Sequence, residues 1–336
     1  MKKFEHGGDI NSFAKELKCE VEQIIDLSSN INFLKPKTKT NIHNLDISSY
    51  PKYDLLYESI SNHYNIKRYN IELFNGASSA IFTLFKHFEL QNCIIYSPAY
   101  LEYKKAAKLF SYKLQNINRF ENLEKEVKKN SLVVFVNPST PDGKYYKLER
   151  LMRYWFKQNC TILIDESFLE FTNKKSITKY INEYDKLYIL KSMTKFYSCA
   201  GVRVGTIISS KNNIKKLKEK EPLWKLSTYD MNYIIEVLKD TKFTKKTIKK
   251  TNKNKAYLQE VLSSYNFIEK VYKSDANFLL LKLKNIDSKT LQNHLKKYKI
   301  MVRDCSNFDF LDSSFVRVAV KNEASIKALK YALDRI

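Results

Sequence analysis

The chain reads as an α/β protein: a large, mostly parallel sheet between helices, followed by a smaller α+β unit. Three observations carry this reading. Between residues 70 and 210, short runs that are apolar throughout alternate with helix-length segments, as expected of strands covered on both faces. Beyond residue 264 the pattern changes to strands and helices in mixed order, as in a small separate α+β layer. With 336 residues, 43% of them hydrophobic, the chain is long enough for a large core and about two domains.

In chain order, "NGASSAIFTLF" from residue 75 follows a strand end and opens an apolar-periodic helix. The runs "CIIYS" (93–97), "LVVFV" (132–136), "TILID" (161–165), "LYIL" (187–190) and "VGTII" (204–208) are read as the buried strands. Residues 228–264 are read as mostly helical, with the Lys/Thr-rich run 241–255 forming a solvated face. "ANFLLLKL", "IMVRDC" and "FVRVAV" then supply short strands, with helices near 287–297 and from about 322. The division expected is an N-terminal arm at 1–40, a large domain at 41–227, and a helical connection with a small domain at 228–336.

Lysine and arginine number 59 against 36 acidic residues, a net charge of +23. The lysines run throughout the chain and form no local stripe, and no nucleic-acid-binding module accompanies them, so no nucleic-acid partner is expected. A field favouring small anionic substrates is compatible with this charge. The start "MKKFEHGGDINSFAKEL" has no apolar core and no later window approaches a membrane span, so no membrane partner is expected. Five single cysteines, without paired spacing or nearby histidines, argue against disulfides and a metal site alike. A reducing cytoplasm is the expected compartment.

Six glycines occupy only four places, "HGG" (6–8), "NGASS" (75–79), "NPSTPDG" (137–143) and "AGVRVG" (200–205). In so glycine-poor a chain they mark points of positive φ or close approach. Asp165 ends a buried strand at the carboxyl edge, where α/β folds gather ligands. A nucleotide triphosphatase would need the loop GxxxxGK[ST], which is absent. The amides of Gly76, Ala77 and Ser78 open a helix whose positive end suits a phosphate. Ser192 and Arg203 add a hydroxyl and a planar guanidinium, and Lys195 stands between them in "KSMTKFYSCAGVRVG". Together these residues suggest a bound phosphorylated cofactor.

The ordered set YP (50–51), NGAxS (75–79), SPAYxEY (97–103), NPxxPxG (137–143), DExFLxF (165–171) and SxTKxxxxxGxRxG (192–205) spans nearly the whole chain. It resembles the fold-type-I pyridoxal-phosphate enzymes of the histidinol-phosphate aminotransferase group. The resemblance implies a seven-stranded large sheet and pyridoxal 5'-phosphate carried by Lys195, with Asp165 at the pyridine nitrogen. It implies Gly76, Ala77, Ser78, Ser192 and Arg203 around the cofactor phosphate, Asn137 at the ring hydroxyl and Tyr100 stacked on the ring. Tyr50 is implied to reach the cofactor phosphate of the neighbouring subunit, in a homodimer with shared sites.

The two ends, "HGGDI" with "LSSNIN" and "VRDCSNFDFLDSSFVRVAVK" (302–321), resemble the threonine-phosphate decarboxylases of that group. They imply a substrate-phosphate clamp of His6, Asn30, Arg303 and Arg317. The reaction implied is decarboxylation of an O-phospho-L-amino acid. L-threonine phosphate would give aminopropanol phosphate for cobamide synthesis; L-serine phosphate would give ethanolamine phosphate. The alternative is an aminotransferase acting on a phosphorylated substrate such as histidinol phosphate. Two departures stand out: Ser139, Thr140 and Asp142 interrupt the usual NPNNPTG loop, and Phe168 replaces a tyrosine common in aminotransferases.

Overall fold

A computed structural model describes residues 7–336, so His6 lies outside the described residues. The strands are β1 (Ile25–Asp26), β2 (Ile71–Asn75), β3 (Asn92–Ser97), β4 (Lys113–Asn118), β5 (Leu132–Val136), β6 (Thr161–Asp165) and β7 (Leu187–Ser192). They continue with β8 (Val204–Ser209), β9 (Ile268–Val271), β10 (Phe278–Leu283), β11 (Ile300–Met301), β12 (Arg303–Asp304) and β13 (Phe315–Ala319). Seven of them form one sheet in the order β2-β8-β7-β6-β5-β3-β4. The pairs from β4 through β7 are parallel, whereas β8 runs antiparallel to both β7 and β2.

The apolar runs occupy the middle of this sheet because both of its faces are covered. All five residues of β5 and all six of β8 are buried, against helices that include Gly76–His87, Leu101–Leu109 and Glu149–Lys157. Each Leu, Ile, Val or Phe so buried contributes about 1.5–3 kcal/mol. The edge strand β4, "KLQNIN", is polar and half-exposed, as an edge allows. Its composition explains why it does not read as a strand in sequence, and β9, "IEKV", is hidden in the same way.

A second, antiparallel sheet has the order β12-β13-β10-β9. It packs Leu279, Leu281, Val316 and Val318 against Leu291 and Leu295 of helix Ser288–Lys296 and Ile326 and Leu329 of helix Glu323–Leu333. The long helix Thr241–Ser263 adds Leu258, Val261 and Leu262 to this core. The N-terminal arm joins it by strand pairing, since β1 lies parallel to β11 and Ala319 N–H donates to the carbonyl of Leu27. Consequently residues 28–32 run alongside both the small sheet and the carboxyl edge of the large one. The five cysteines are free thiols, and no helix among the described residues is long and apolar enough to cross a membrane.

Candidate active site

The carboxyl edges of β6 and β7 and the start of helix Gly76–His87 open into one cavity of about 380 Å³, closed on the far side by the small sheet and the arm. Its volume lies in the range of small-molecule sites. Ala77, Ser78, Tyr100, Asp165, Ser192, Lys195, Arg203, Asn30, Arg303 and Arg317 all stand on its wall, so most of the residues singled out in sequence converge there.

At one end lies an anion cradle. No side chain caps helix Gly76–His87, which leaves the positive terminus to a ligand. Gly76 has φ +78 and lies directly beneath the Arg203 guanidinium, where a Cβ would collide with it. A Cβ on Gly205 of β8 would sit 2.6 Å from the main-chain nitrogen of Ala77, so the helix start rests on the strand itself. Arg203 Nη1 donates to the carbonyl of Ala200 at 2.8 Å, which orients the guanidinium. The Ser192 and Thr194 hydroxyls lie 3.1 Å apart, and Ser78 Oγ lies 3.5 Å from Tyr100 Oη.

In the middle sit Asp165 and Lys195. Asp165 is 5% exposed; its Oδ1 accepts the Ser167 N–H and its Oδ2 the Tyr103 hydroxyl, each at 2.8 Å. Among the described residues it makes no salt bridge, so this buried carboxylate is held only by neutral donors and suits a cationic ligand atom. Tyr103, placed on the inner face of helix Leu101–Leu109, carries no separate signal in sequence although it ends the motif SPAYxEY. Burial and the Asp165 charge push its phenol well above the usual value, so it remains a donor. Lys195 follows β7 in the short helix Met193–Phe196. Burial lowers its pKa, Asp165 opposes this, and Arg317 and Arg203 lower it further. Its Nζ lies 4.9 Å from the centre of the Phe168 ring. A lysine held toward neutrality in such a place suits attack on a carbonyl.

At the other end are the arginines. Arg303 of β12 and Arg317 of β13 are cross-strand partners, only 4% and 8% exposed. Arg303 Nη2 donates to Asn307 Oδ1 at 2.8 Å. Arg317 Nη1 donates to Thr140 Oγ1 at 3.1 Å and Nη2 to the Ser28 carbonyl at 3.0 Å, while its Nε is buried without a partner. Burial lowers its pKa to about 10. Asn30 lies on the same wall with its Oδ1 buried and unpartnered. Two buried guanidiniums side by side, with an orphan N–H, are suited to an anion.

Two expected residues stand elsewhere. The Asn137 side chain is not on the cavity wall: its Nδ2 donates to the carbonyl of Tyr146 at 3.0 Å and its Oδ1 accepts the Tyr146 N–H at 2.8 Å. Tyr50 is 70% exposed and stacks on Trp224 at 4.0 Å. Thr140, noted in sequence only as a departure from the usual loop, emerges as the hydroxyl partner of Arg317. No group of three or more His, Cys, Asp or Glu among the described residues could hold a metal ion.

The residues present fit pyridoxal 5'-phosphate: an uncapped helix terminus with Arg203 over it for the phosphate, a buried carboxylate with only neutral partners for the pyridine nitrogen, and a buried lysine of lowered pKa for the carbonyl.

A family model described as aminotransferase class I and II matches residues 22–336. A protein of Caldanaerobacter subterraneus subsp. tengcongensis named "Putative threonine-phosphate decarboxylase" is 34% identical over 99% of this chain and 94% of its own length. The solved histidinol-phosphate aminotransferase of Clostridium acetobutylicum is 30% identical, with TM-score 0.82 over 92% of this chain and 98% of that one. A histidinol-phosphate aminotransferase of Sinorhizobium meliloti, solved in complex with pyridoxal-5'-phosphate, shares the fold at TM-score 0.83 over 100% of this chain and 98% of that one, at 14% identity.

Proposed function

The chain belongs to the aminotransferase class I and II family, and we propose that within it the protein is a decarboxylase of an O-phospho-L-amino acid, L-threonine phosphate or L-serine phosphate. Its cofactor, pyridoxal 5'-phosphate, supplies when bound an electron-accepting ring for a bond broken at the substrate α-carbon. Lys195 would carry the cofactor through its amino group. Asp165 would face the pyridine nitrogen, and the amides of Gly76, Ala77 and Ser78 with Ser192 and Arg203 would hold the phosphate. Tyr100 would line the ring. Asn137 would contribute through the loop it braces.

The observation that carries the reading is the placement of the cations. Among the described residues, the cationic side chains on the cavity wall are Lys195, Arg203, Arg303 and Arg317. Arg203 belongs to the cradle at the helix start, and Arg303 and Arg317 form a buried pair beside Asn30. A substrate phosphate gripped by that pair and Asn30, with His6 as the further member implied by the resemblance, leaves no guanidinium for the α-carboxylate. Held by its phosphate, the substrate keeps its carboxylate away from both guanidinium sites, where loss of CO₂ relieves an anion that they do not pair. Lys195 Nζ, against the Phe168 ring, is the group placed to return a proton to the α-carbon. The products are CO₂ and the corresponding amino-alcohol phosphate.

The relatedness to the Clostridium acetobutylicum enzyme favours a second reading, transamination of a phosphorylated substrate. The two are separated by incubating the holoenzyme with O-phospho-L-threonine or O-phospho-L-serine. Release of CO₂ without any 2-oxo acid acceptor is expected, and strict dependence on an acceptor would overturn the decarboxylase reading.

A cytoplasmic homodimer completes the proposal. Tyr50, Trp224 and the 73% exposed Leu223 form an apolar face. Asn75 Nδ2, donating to the Lys225 carbonyl at 3.3 Å, ties that face to the rim of the anion cradle. A second copy covering it would bring Tyr50 to the neighbouring cradle.

A further inference from the structure

We infer that Ser28, set by Asp26, is a positioning residue for the substrate-phosphate clamp, an inference that rests on Arg317 and Asn30 being that clamp. Asp26 Oδ1 accepts from Ser28 N at 2.8 Å, Ser28 Oγ at 2.7 Å and Ser29 N at 3.1 Å, a turn that fixes the serine side chain. Ser28 is fully buried. With its proton given to Asp26, the Ser28 hydroxyl accepts the Gly8 N–H at 2.8 Å. Its carbonyl accepts Arg317 Nη2 at 3.0 Å. One residue thus touches both the N-terminal glycine loop and the clamp guanidinium. The fit leaves no slack, because a Cβ on Gly7 would overlap the Ser28 carbonyl oxygen.

The segment beyond is held as firmly. Asn277 Nδ2 donates to the carbonyl of Asn30 and Lys321 Nζ to that of Ile31, each at 2.8 Å. The Asn32 N–H donates to the carbonyl of Lys195 at 3.0 Å, and Asn32 Nδ2 to that of Phe196 at 2.7 Å. Asn30 is therefore fixed from both sides, with Ser28 as the anchor nearer the clamp. Losing the Ser28 hydroxyl frees the glycine loop and removes one of the bonds to Asp26 that place the Ser28 carbonyl under Arg317, while leaving Asp165, Lys195 and the helix terminus in place. The effect falls on phosphate affinity and not on the chemistry.

The test uses the holoenzyme of Ser28→Ala, Ser28→Cys and Asp26→Asn. Inorganic phosphate is titrated by calorimetry, and kcat, KM, the visible spectrum and the melting temperature are measured alongside. Ser28→Ala is expected to bind phosphate about tenfold more weakly and to raise KM by the same factor, with kcat and spectrum unchanged. Ser28→Cys, close in shape but a weak acceptor, shows the same split. Asp26→Asn keeps an Oδ1 acceptor for Ser28 but removes the carboxylate charge, and is expected to lose less phosphate affinity than Ser28→Ala. The inference is overturned if Ser28→Ala binds phosphate as tightly as the wild type, or if kcat, spectrum and melting temperature fall together with affinity. It is also overturned if Asp26→Asn loses as much as Ser28→Ala, which would assign the effect to charge. A wild-type holoenzyme with no measurable phosphate affinity would instead defeat the clamp reading itself.

Discussion

Replacing Arg317 by methionine separates function from stability in a way that few buried arginines allow. The guanidinium is held by Thr140 and Ser28, lies 5.2 Å from the centre of the Phe278 ring and makes no salt bridge among the described residues. Its charge therefore costs desolvation that the fold does not return, as the fall of its pKa to about 10 indicates. Methionine keeps the contact with Phe278 and removes that cost, but strands the Ser28 carbonyl and takes a partner from the Thr140 hydroxyl, a loss of about 1–2 kcal/mol. The two effects offset, and the melting temperature of Arg317→Met should stay within about 4 °C of the wild type. Substrate, by contrast, loses a charge-assisted contact of about 3 kcal/mol, so kcat/KM toward the phospho-amino acid should fall by about two orders of magnitude. Steady-state CO₂ release and a thermal melt on the same samples provide the readout. Unphosphorylated L-threonine or L-serine is the control, for which wild type and variant should converge. A loss under threefold, or an equal loss with the unphosphorylated control, would refute the assignment of Arg317 to the phosphate; a collapse in melting temperature would make its role structural.

Two further outcomes follow from the cavity. Lys195 has its folded-state pKa below the ordinary 10.5, chiefly by burial, so the unfolded chain binds the proton more tightly and the lysine destabilises the apo protein at neutral pH. Lys195→Met should therefore raise the apo melting temperature at pH 7. The gain should shrink as pH rises toward 10.5, and a gain independent of pH across that window would contradict the burial argument. Gly205→Ala puts a methyl 2.6 Å from Ala77 N and 2.7 Å from the carbonyl carbon of Gly76, so the helix start must lift from β8 at a cost of about 1–3 kcal/mol. Cofactor affinity, titrated by absorbance, should fall about tenfold or more; a value within threefold of the wild type would show that the helix terminus does not set the cradle.

What could be read in the sequence, and what could not, divides along physical lines. "LVVFV" and "TILID" became β5 and β6 residue for residue because a strand buried on both faces shows as a continuous apolar run, with polar residues in "TILID" only at its two ends. Direction leaves no such mark: the composition of "VGTII" is the same whether β8 runs parallel or antiparallel, and only the sheet shows that it reverses. The site follows the same rule. Lys195, Ser192 and Arg203 are legible because short-range spacing fixes them, and Asp165 because it ends a recognisable strand. Their partners are not: Tyr103 reaches Asp165 from a helix and Thr140 reaches Arg317 across the chain, contacts created by packing alone. Arg303 and Arg317 become neighbours only through the antiparallel register of β12 and β13, which makes the electrostatics of the clamp a property of the small sheet. Asn137 makes the converse point, since a residue in a recognisable motif can spend both side-chain polar atoms on Tyr146 and act through the loop it braces. That loop carries Thr140 to Arg317, so the departure from NPNNPTG at Ser139, Thr140 and Asp142 lies against the guanidinium proposed for the substrate phosphate.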